Sequence, residues 1–369
     1  MRIDAVELRQ IEMTLRSPFE TSFGREQTLP AILVRVQADG LEGWGEAPTG
    51  MGGLYNEETH ESVWAILERY IIPPLLGREM PSLQGFARQA ARIRRNHMAK
   101  AAVEAALWDL EAQRRGKPLA ALLGGERERI VAGVSVGIEP TVDELLDRVD
   151  SYLRAGYRRI KIKIKPGFDV EPVRRIRERF GDILLQVDAN SAYSLSDAAT
   201  FEALDAYNLL LIEQPLAEDD LVDHAKLQAR LRTPICLDES IVHARAARAA
   251  LELGSCRVIN IKPARVGGLW EAVAIHDLCR SRGIPVWCGG MLETGIGRAA
   301  NLALASLPGF TLPGDLSASD RYFEEDLIDP PVTLNADGTI TVPTSPGLGV
   351  RVVPERVERR TVRKARYTA

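Results

Sequence analysis

Short apolar runs that each stop on one polar residue recur through the middle of the chain at almost constant intervals. Residues 159–163 read Arg-Ile-Lys-Ile-Lys and end on Lys163; 183–188 end on Asp188, 209–213 on Glu213, 234–238 on Asp238 and 258–262 on Lys262. The four gaps are 25, 25, 25 and 24 residues by subtraction. Between these strand-like runs, apolar residues recur at helical spacing and predict helices near 169–180, 195–206, 218–231, 243–253 and 267–282. Thr141 and Glu144 fit a capping box that opens an earlier helix, and runs at 131–135, 285–288 and 310–312 bring the strands to eight. Strand–helix alternation implies parallel strands with right-handed crossovers, and eight such strands close into a barrel. The fold class is therefore α/β, a (β/α)8-type barrel over residues 126–320.

Residues 1–125 follow another pattern. Strand-like runs at 3–15 and 31–38 lead to Gly40 and then to Gly43-Trp-Gly-Glu46, after which helical patterns cover 57–70, 83–94 and 98–115. Strands followed by a group of helices predict a separate α+β unit. Gly124-Gly125 marks its end, and a C-terminal tail, 321–369, is expected to leave the barrel and rejoin this unit.

Composition mainly excludes. The chain has 369 residues, room for a barrel of about 200 to 250 plus a smaller unit. Lys plus Arg (47) against Asp plus Glu (51) leaves −4, no footprint for nucleic acid or an anionic membrane. No apolar stretch approaches the roughly 18 to 20 residues of a membrane span. Charges at positions 2, 4, 7 and 9 do not fit a signal peptide, and Cys236, Cys256, Cys279 and Cys288 lack CxxC spacing. A cytoplasmic protein with reduced thiols is expected.

Polar residues at the C-terminal ends of barrel strands read as catalytic. Asp188, Glu213 and Asp238 would meet at the barrel mouth from three adjacent strands, and their mutual repulsion calls for a hard divalent cation such as Mg²⁺ or Mn²⁺. His60, His97, His224, His243 and His276 fall in loops or helices, which argues against zinc. Alternation places Lys161, Lys163 and Lys165 on one strand face and Ile160, Ile162 and Ile164 on the other. With the isoleucines under the helices, the lysines point inward; Lys165 precedes Pro166 and begins a loop. Lys163 and Lys262 stand on either side of the triad, where neighbouring cations would lower a lysine toward a general base's range. The plainer reading has these lysines balance the carboxylates as ion pairs. A metal that holds a carboxylate, with a base on each face of its α-carbon, is an arrangement already known for proton abstraction through an enediolate.

Lys161-Ile-Lys163, Asp188-Ala-Asn190, Ile212-Glu-Gln-Pro215, Leu237-Asp-Glu-Ser240 and Asn260-Ile-Lys-Pro-Ala-Arg265 together resemble the muconate-cycloisomerase-like branch of the enolase superfamily. Within it, Lys163-Ile-Lys-Pro-Gly167, the run 289–298 and Pro313-Gly-Asp-Leu-Ser-Ala-Ser319 are most similar to the o-succinylbenzoate synthase / N-acylamino acid racemase family. The resemblance implies a modified (β/α)7β barrel under an α+β capping domain. It implies Asp188, Glu213 and Asp238 as ligands of Mg²⁺, which Mn²⁺ or another divalent cation can replace, and Lys163 and Lys262 as the acid/base pair. Lys161, Asn190, Glu239 and Arg265 would support them, Arg265 being typical of members with racemase activity. Phe19 and Phe23, on a capping loop, with Met51, Tyr55, Ser135, Met291, Leu292 and Tyr322, would line the substrate pocket. The partner implied is a small-molecule carboxylate, and the assembly a homo-oligomer, often an octamer.

Two reactions share such a site: dehydration to o-succinylbenzoate in menaquinone biosynthesis, and racemisation of N-acylamino acids such as N-succinylamino acids. A muconate-type cycloisomerase or a dipeptide epimerase would use the same scaffold. A Schiff-base aldolase would not need the carboxylates, and a non-catalytic carboxylate-binding scaffold would bind without turnover. The glycine-rich run 289–298 also allows a phosphate cradle, although a part in shaping the acyl pocket is preferred.

Overall fold

Alternation of buried and exposed residues makes the first long strand. In β1 (Ile3–Thr21), Ile3, Leu8, Ile11 and Met13 are buried while Asp4, Glu12 and Thr14 face water. The computed structural model describes residues 1–50, 52–80 and 82–369; Met51 lies outside them. β1 pairs antiparallel with β2 (Gly24–Ala38), β2 with β3 (Leu41–Ala47), and the chain's last strand joins the other side of β1, as below. Helices α1 (His60–Ile66), α2 (Leu83–Ala90) and α3 (His97–Arg114) cover this sheet. The first is shorter than its 57–70 pattern because a π-helical turn, Leu67–Ile71, follows it. α3 is buried on nearly every side, since β3 crosses it closely. The Ala102 and Ala106 carbonyl oxygens occupy the space that a Cβ at Gly45 and Gly43 would need, so the helix and strand meet there only through glycine.

After α4 (Leu119–Leu123) and β4 (Arg129–Val131), seven parallel strands form one sheet in sequence order: β5 (Gly133–Val136), β6 (Arg159–Lys163), β7 (Leu184–Asp188), β8 (Ile212–Glu213), β9 (Ile235–Leu237), β10 (Val258–Ile261) and β11 (Val286–Cys288). The helices between them are α5 (Val142–Ala155), α6 (Val170–Phe180), α7 (Ala198–Leu204), α8 (Leu221–Arg230), α9 (Ala244–Leu253), α10 (Pro263–Val266) and α11 (Leu269–Ser281), followed by α12 (Gly295–Ala305). Thr141 accepts from the Glu144 amide at 3.2 Å and caps α5.

Two strand expectations change. The run at 131–135 is split: Arg129–Val131 pairs outside the barrel with β13 (Thr339–Thr341), after β12 (Ile328–Asp329), and the barrel begins at Gly133. The eighth strand at 310–312 is an irregular stave. Phe310 bridges Val286, Gly133 N donates to Gly314 O at 2.9 Å, and Asp315 N donates to Cys288 O at 3.0 Å. Pro313 has no N–H to give, so the ring closes without a regular ladder. Beyond it, β14 (Arg351–Val352) pairs with β12, and α13 (Pro354–Arg360) leads to β15 (Thr361–Thr368), which pairs antiparallel with β1.

Register fixes the site. Lys163 lies opposite Asp188, and Asp188 opposite Glu213. Ile160, Ile162 and Ile164 are fully buried under the helices, which turns Lys161 and Lys163 inward. Lys165 departs from them and pairs with Glu20 at 3.2 Å on a half-exposed loop.

Candidate active site

The ends of β6 to β10 deliver, side by side, Lys163, Asp188, Glu213, Asp238 and Lys262. Nζ of Lys163 donates to Asp188 Oδ2 and Asn190 Oδ1, both at 2.6 Å. Nζ of Lys161 donates to Glu213 Oε2 at 3.0 Å and lies 3.2 Å from Asp188 Oδ2 and 2.5 Å from Asp315 Oδ2. On the far side, Lys262 donates to Asp238 Oδ2 at 2.7 Å and to Tyr55 Oη at 3.1 Å. Arg265 bonds Asp238 and donates to Ile241 O at 2.8 Å and Asn260 O at 2.6 Å. Asn260 donates to Glu213 Oε1 at 2.9 Å, and Asn190 to Glu239 Oε1 at 2.8 Å. All these side chains are buried except that of Tyr55, which is half-buried. Non-glycine residues with left-handed backbone cluster here: Asn190 (φ 43°), Gln214 (φ 37°) and Leu292 (φ 60°).

Burial and charge pull against each other. Burial would raise the Asp188 carboxyl, but Lys163 and Lys161 outweigh it and hold it down at about 2. Glu213 is raised by burial and by the charge of Asp188. Burial and Asp188 push Glu239 up to about 7. In this arrangement Lys262 does not meet the expectation of a lowered lysine, and its neighbour in the site, Lys161, is raised as well. Burial would lower both, but Asp315, Glu213 and Asp188 around Lys161, and Tyr55, Glu213 and Glu239 around Lys262, raise them instead. In this arrangement the two ammonium groups are counter-ions of the carboxylates.

Two family models match: mandelate racemase / muconate lactonizing enzyme, N-terminal domain, over residues 3–124, and enolase C-terminal domain-like over 144–356. A curated o-succinylbenzoate synthase from Geobacillus kaustophilus is 53% identical over 98% of this chain and 96% of its own length. An N-succinylamino acid racemase from Amycolatopsis sp. is 52% identical, covering 99% of each chain. The chain belongs to the mandelate racemase / muconate lactonizing enzyme family. A solved enolase-superfamily structure from Listeria innocua superposes with a TM-score of 0.95 at 40% identity, covering 100% of this chain and 99% of that one. The enolase-superfamily fold, a modified barrel under a capping unit, is thereby established for the chain.

One cavity lies above the lysines. Phe19, Phe23, Tyr55, Ser135, Met291, Leu292 and Tyr322 line it together with Lys161, Lys163, Lys262 and Asn190; Met51 is outside the described residues. Glu239 and Arg265 line a neighbouring cleft that reaches the same strand ends. The phosphate-cradle alternative fails at the start of α12. Glu46 accepts from Thr294 N at 3.0 Å and Gly297 N at 2.9 Å, and Asp326 accepts from Gly295 N at 2.8 Å, so protein carboxylates already hold those amides.

Asp315 and Arg159 are site residues that sequence reasoning missed. Arg159 shares the inward parity of Lys161 and Lys163, a signal that was available. Asp315 follows Pro313-Gly314, where no strand pattern assigns it a direction.

Proposed function

We propose that this enolase-superfamily chain is an N-succinylamino acid racemase that also carries out the o-succinylbenzoate synthase reaction, both beginning with proton abstraction α to a carboxylate. The observation that carries the reading is that Lys163 and Lys262 flank three buried carboxylates, each bonded to a different one, Asp188 or Asp238.

The carboxylates favour a bound cation. They are oxygen-only donors on adjacent strands, a set that suits Mg²⁺. Among the described residues no three His, Cys, Asp or Glu side chains close up as a ready-made cage; Lys161 stands between Asp188 and Glu213, taking the place of positive charge there. Donor type and charge demand thus fit Mg²⁺ on Asp188, Glu213 and Asp238. When bound, the ion would supply positive charge to the substrate carboxylate as its α-proton leaves.

In racemisation, Lys163 removes the α-proton from one face of the substrate and Lys262 returns one to the other. In synthesis, Lys163 removes the proton and passes it to the departing hydroxide, while the ammonium of Lys262 balances the enediolate charge. Asn190, oriented by Glu239, fixes the Lys163 amine through its Oδ1. Arg265 holds Asp238, the partner of Lys262. The apolar side chains above exclude water and receive the acyl group and amino acid side chain. The octamer implied by the resemblance belongs to this reading and is checked by light scattering; four buried free cysteines support a cytoplasmic setting.

The test is deuterium uptake at the α-carbon of N-succinylmethionine in D₂O with Mg²⁺. Wild type is expected to exchange and racemise, whereas Lys163→Ala and Lys262→Ala each lose racemisation by about 10²- to 10⁴-fold. Each variant is expected to retain exchange of one enantiomer only. No exchange on any N-acylamino acid would remove the racemase reading.

A further inference from the structure

Below the proposed base pair lies a second charged layer that the two reactions do not use. Asp315 is 5% exposed and Arg159 fully buried. Oδ2 of Asp315 lies 2.5 Å from Lys161 Nζ, and Oδ1 lies 2.7 Å from Arg159 Nη1, in ion contact without a hydrogen bond's alignment. The Arg159 guanidinium donates to Pro313 O at 3.2 Å and stacks 5.3 Å from the centre of the Trp287 ring, over which Lys161 also lies at 5.0 Å. Arg159 fills the space beside Gly133 that any Cβ there would need, so a glycine on the neighbouring strand keeps room for it. Asp315 itself is tied down by its amide, which donates to Cys288 O at 3.0 Å.

This layer bears on how a cation reaches the carboxylates. Lys161 divides its ammonium among Asp188 at 3.2 Å, Glu213 at 3.0 Å and Asp315 at 2.5 Å. A divalent cation on Asp188 and Glu213 competes with that ammonium for the same oxygens. Close to both, the ammonium would also repel the ion. Among the described residues, Asp315 is the one carboxylate in contact with Lys161 that stands outside the triad, and Arg159 beneath it keeps it ionised and in place. We propose that Asp315 is a positioning residue that retains Lys161 when a divalent cation occupies Asp188 and Glu213, and so sets the affinity of the triad for that cation. The inference rests on the reading of Asp188, Glu213 and Asp238 as cation ligands.

The experiment is Mn²⁺ binding to the purified full-length protein, followed by electron paramagnetic resonance and calorimetry without substrate. Asp315→Asn is expected to weaken Mn²⁺ binding by about 10- to 100-fold, the range for groups that position metal ligands. Lys161→Met, which removes the competing ammonium, is expected to bind Mn²⁺ more tightly than wild type. The double variant Asp315→Asn/Lys161→Met is expected to match Lys161→Met, because Asp315 acts only through Lys161. Wild-type affinity in Asp315→Asn would overturn the inference, as would a double variant as weak as Asp315→Asn. If Asp315→Asn does not fold, Lys161→Met decides alone: equal or weaker Mn²⁺ binding overturns it. Glu213→Gln separates the two levels. If wild type binds no Mn²⁺, or Glu213→Gln binds it as wild type does, the ligand assignment itself has failed.

Discussion

Tyr55 and Lys262 join the loop ahead of α1 to the barrel: Lys262 Nζ donates to the phenol oxygen at 3.1 Å and stands 4.7 Å from the ring centre. The phenol in turn lies 3.3 Å from both Asp238 oxygens. The lysine on one flank of the triad is thus oriented from outside the barrel, whereas Lys163 on the other flank is held within it by Asp188 and Asn190.

Tyr55→Phe keeps the ring and removes the acceptor. A hydrogen bond to a charged group contributes about 1.5 to 3 kcal/mol, so turnover is expected to fall about 10- to 100-fold. Proton removal assigned to Lys262 should suffer more than removal assigned to Lys163. Initial deuterium uptake measured separately from each enantiomer checks this, and equal loss from both would show that the phenol does not single out Lys262.

A pH dependence of stability follows from Glu104 on α3. It is fully buried, accepts from Trp108 Nε1 at 3.1 Å and Trp270 N at 2.9 Å, and burial pushes its carboxyl up to about 7. The folded pKa is above the unfolded value of 4.5, so the folded state holds the proton more tightly. Its contribution favours folding most below pH 4.5 and is lost as pH rises to about 7. At roughly 1.4 kcal/mol per pH unit, the change is about 3 kcal/mol. Urea unfolding at pH 5 and pH 8 should show wild type losing most of that margin relative to Glu104→Gln; a constant difference between the two proteins would refute it.

At the crossing of β3 and α3, Gly45→Ala places a methyl group against the Ala102 carbonyl. Overpacking at such a contact costs about 1 to 3 kcal/mol. The urea midpoint is expected to drop accordingly with an unchanged slope. An unchanged midpoint would mean that strand and helix part without cost.

The barrel strands were legible where apolar runs end on a charge, because period and parity act locally: β6 to β10 stop within one residue of Lys163, Asp188, Glu213, Asp238 and Lys262. The same parity turned Lys161 and Lys163 inward. The stave at 310–315 was misread because its hydrogen bonds are made by a Pro-Gly segment with no strand pattern, and Asp315 was lost with it. The raised Lys262 departs from the expectation for a different reason. A sequence can place charges on one face, but the balance of burial against particular carboxylates depends on contacts of about 3 Å between strands far apart in the chain.

The hairpin of β1 and β2 carries Phe19 and Phe23 to the cavity and is fastened at its tip by few bonds. Ile138 N donates to Glu20 O at 2.9 Å, Lys165 to Glu20 at 3.2 Å and Ser22 Oγ to Asn190 O at 3.3 Å. If the proposed function holds, a ligand in the cavity is released when these bonds part together. Losing one of them, in Ser22→Ala, is expected to speed release of N-succinylmethionine by about 2- to 10-fold in stopped-flow displacement, the scale of a single hydrogen bond; an unchanged off-rate would mean that ligands leave by another route. A faster off-rate in Ser22→Ala would make the cap, and not the chemistry on the strands beneath it, the step that sets the pace of ligand exchange.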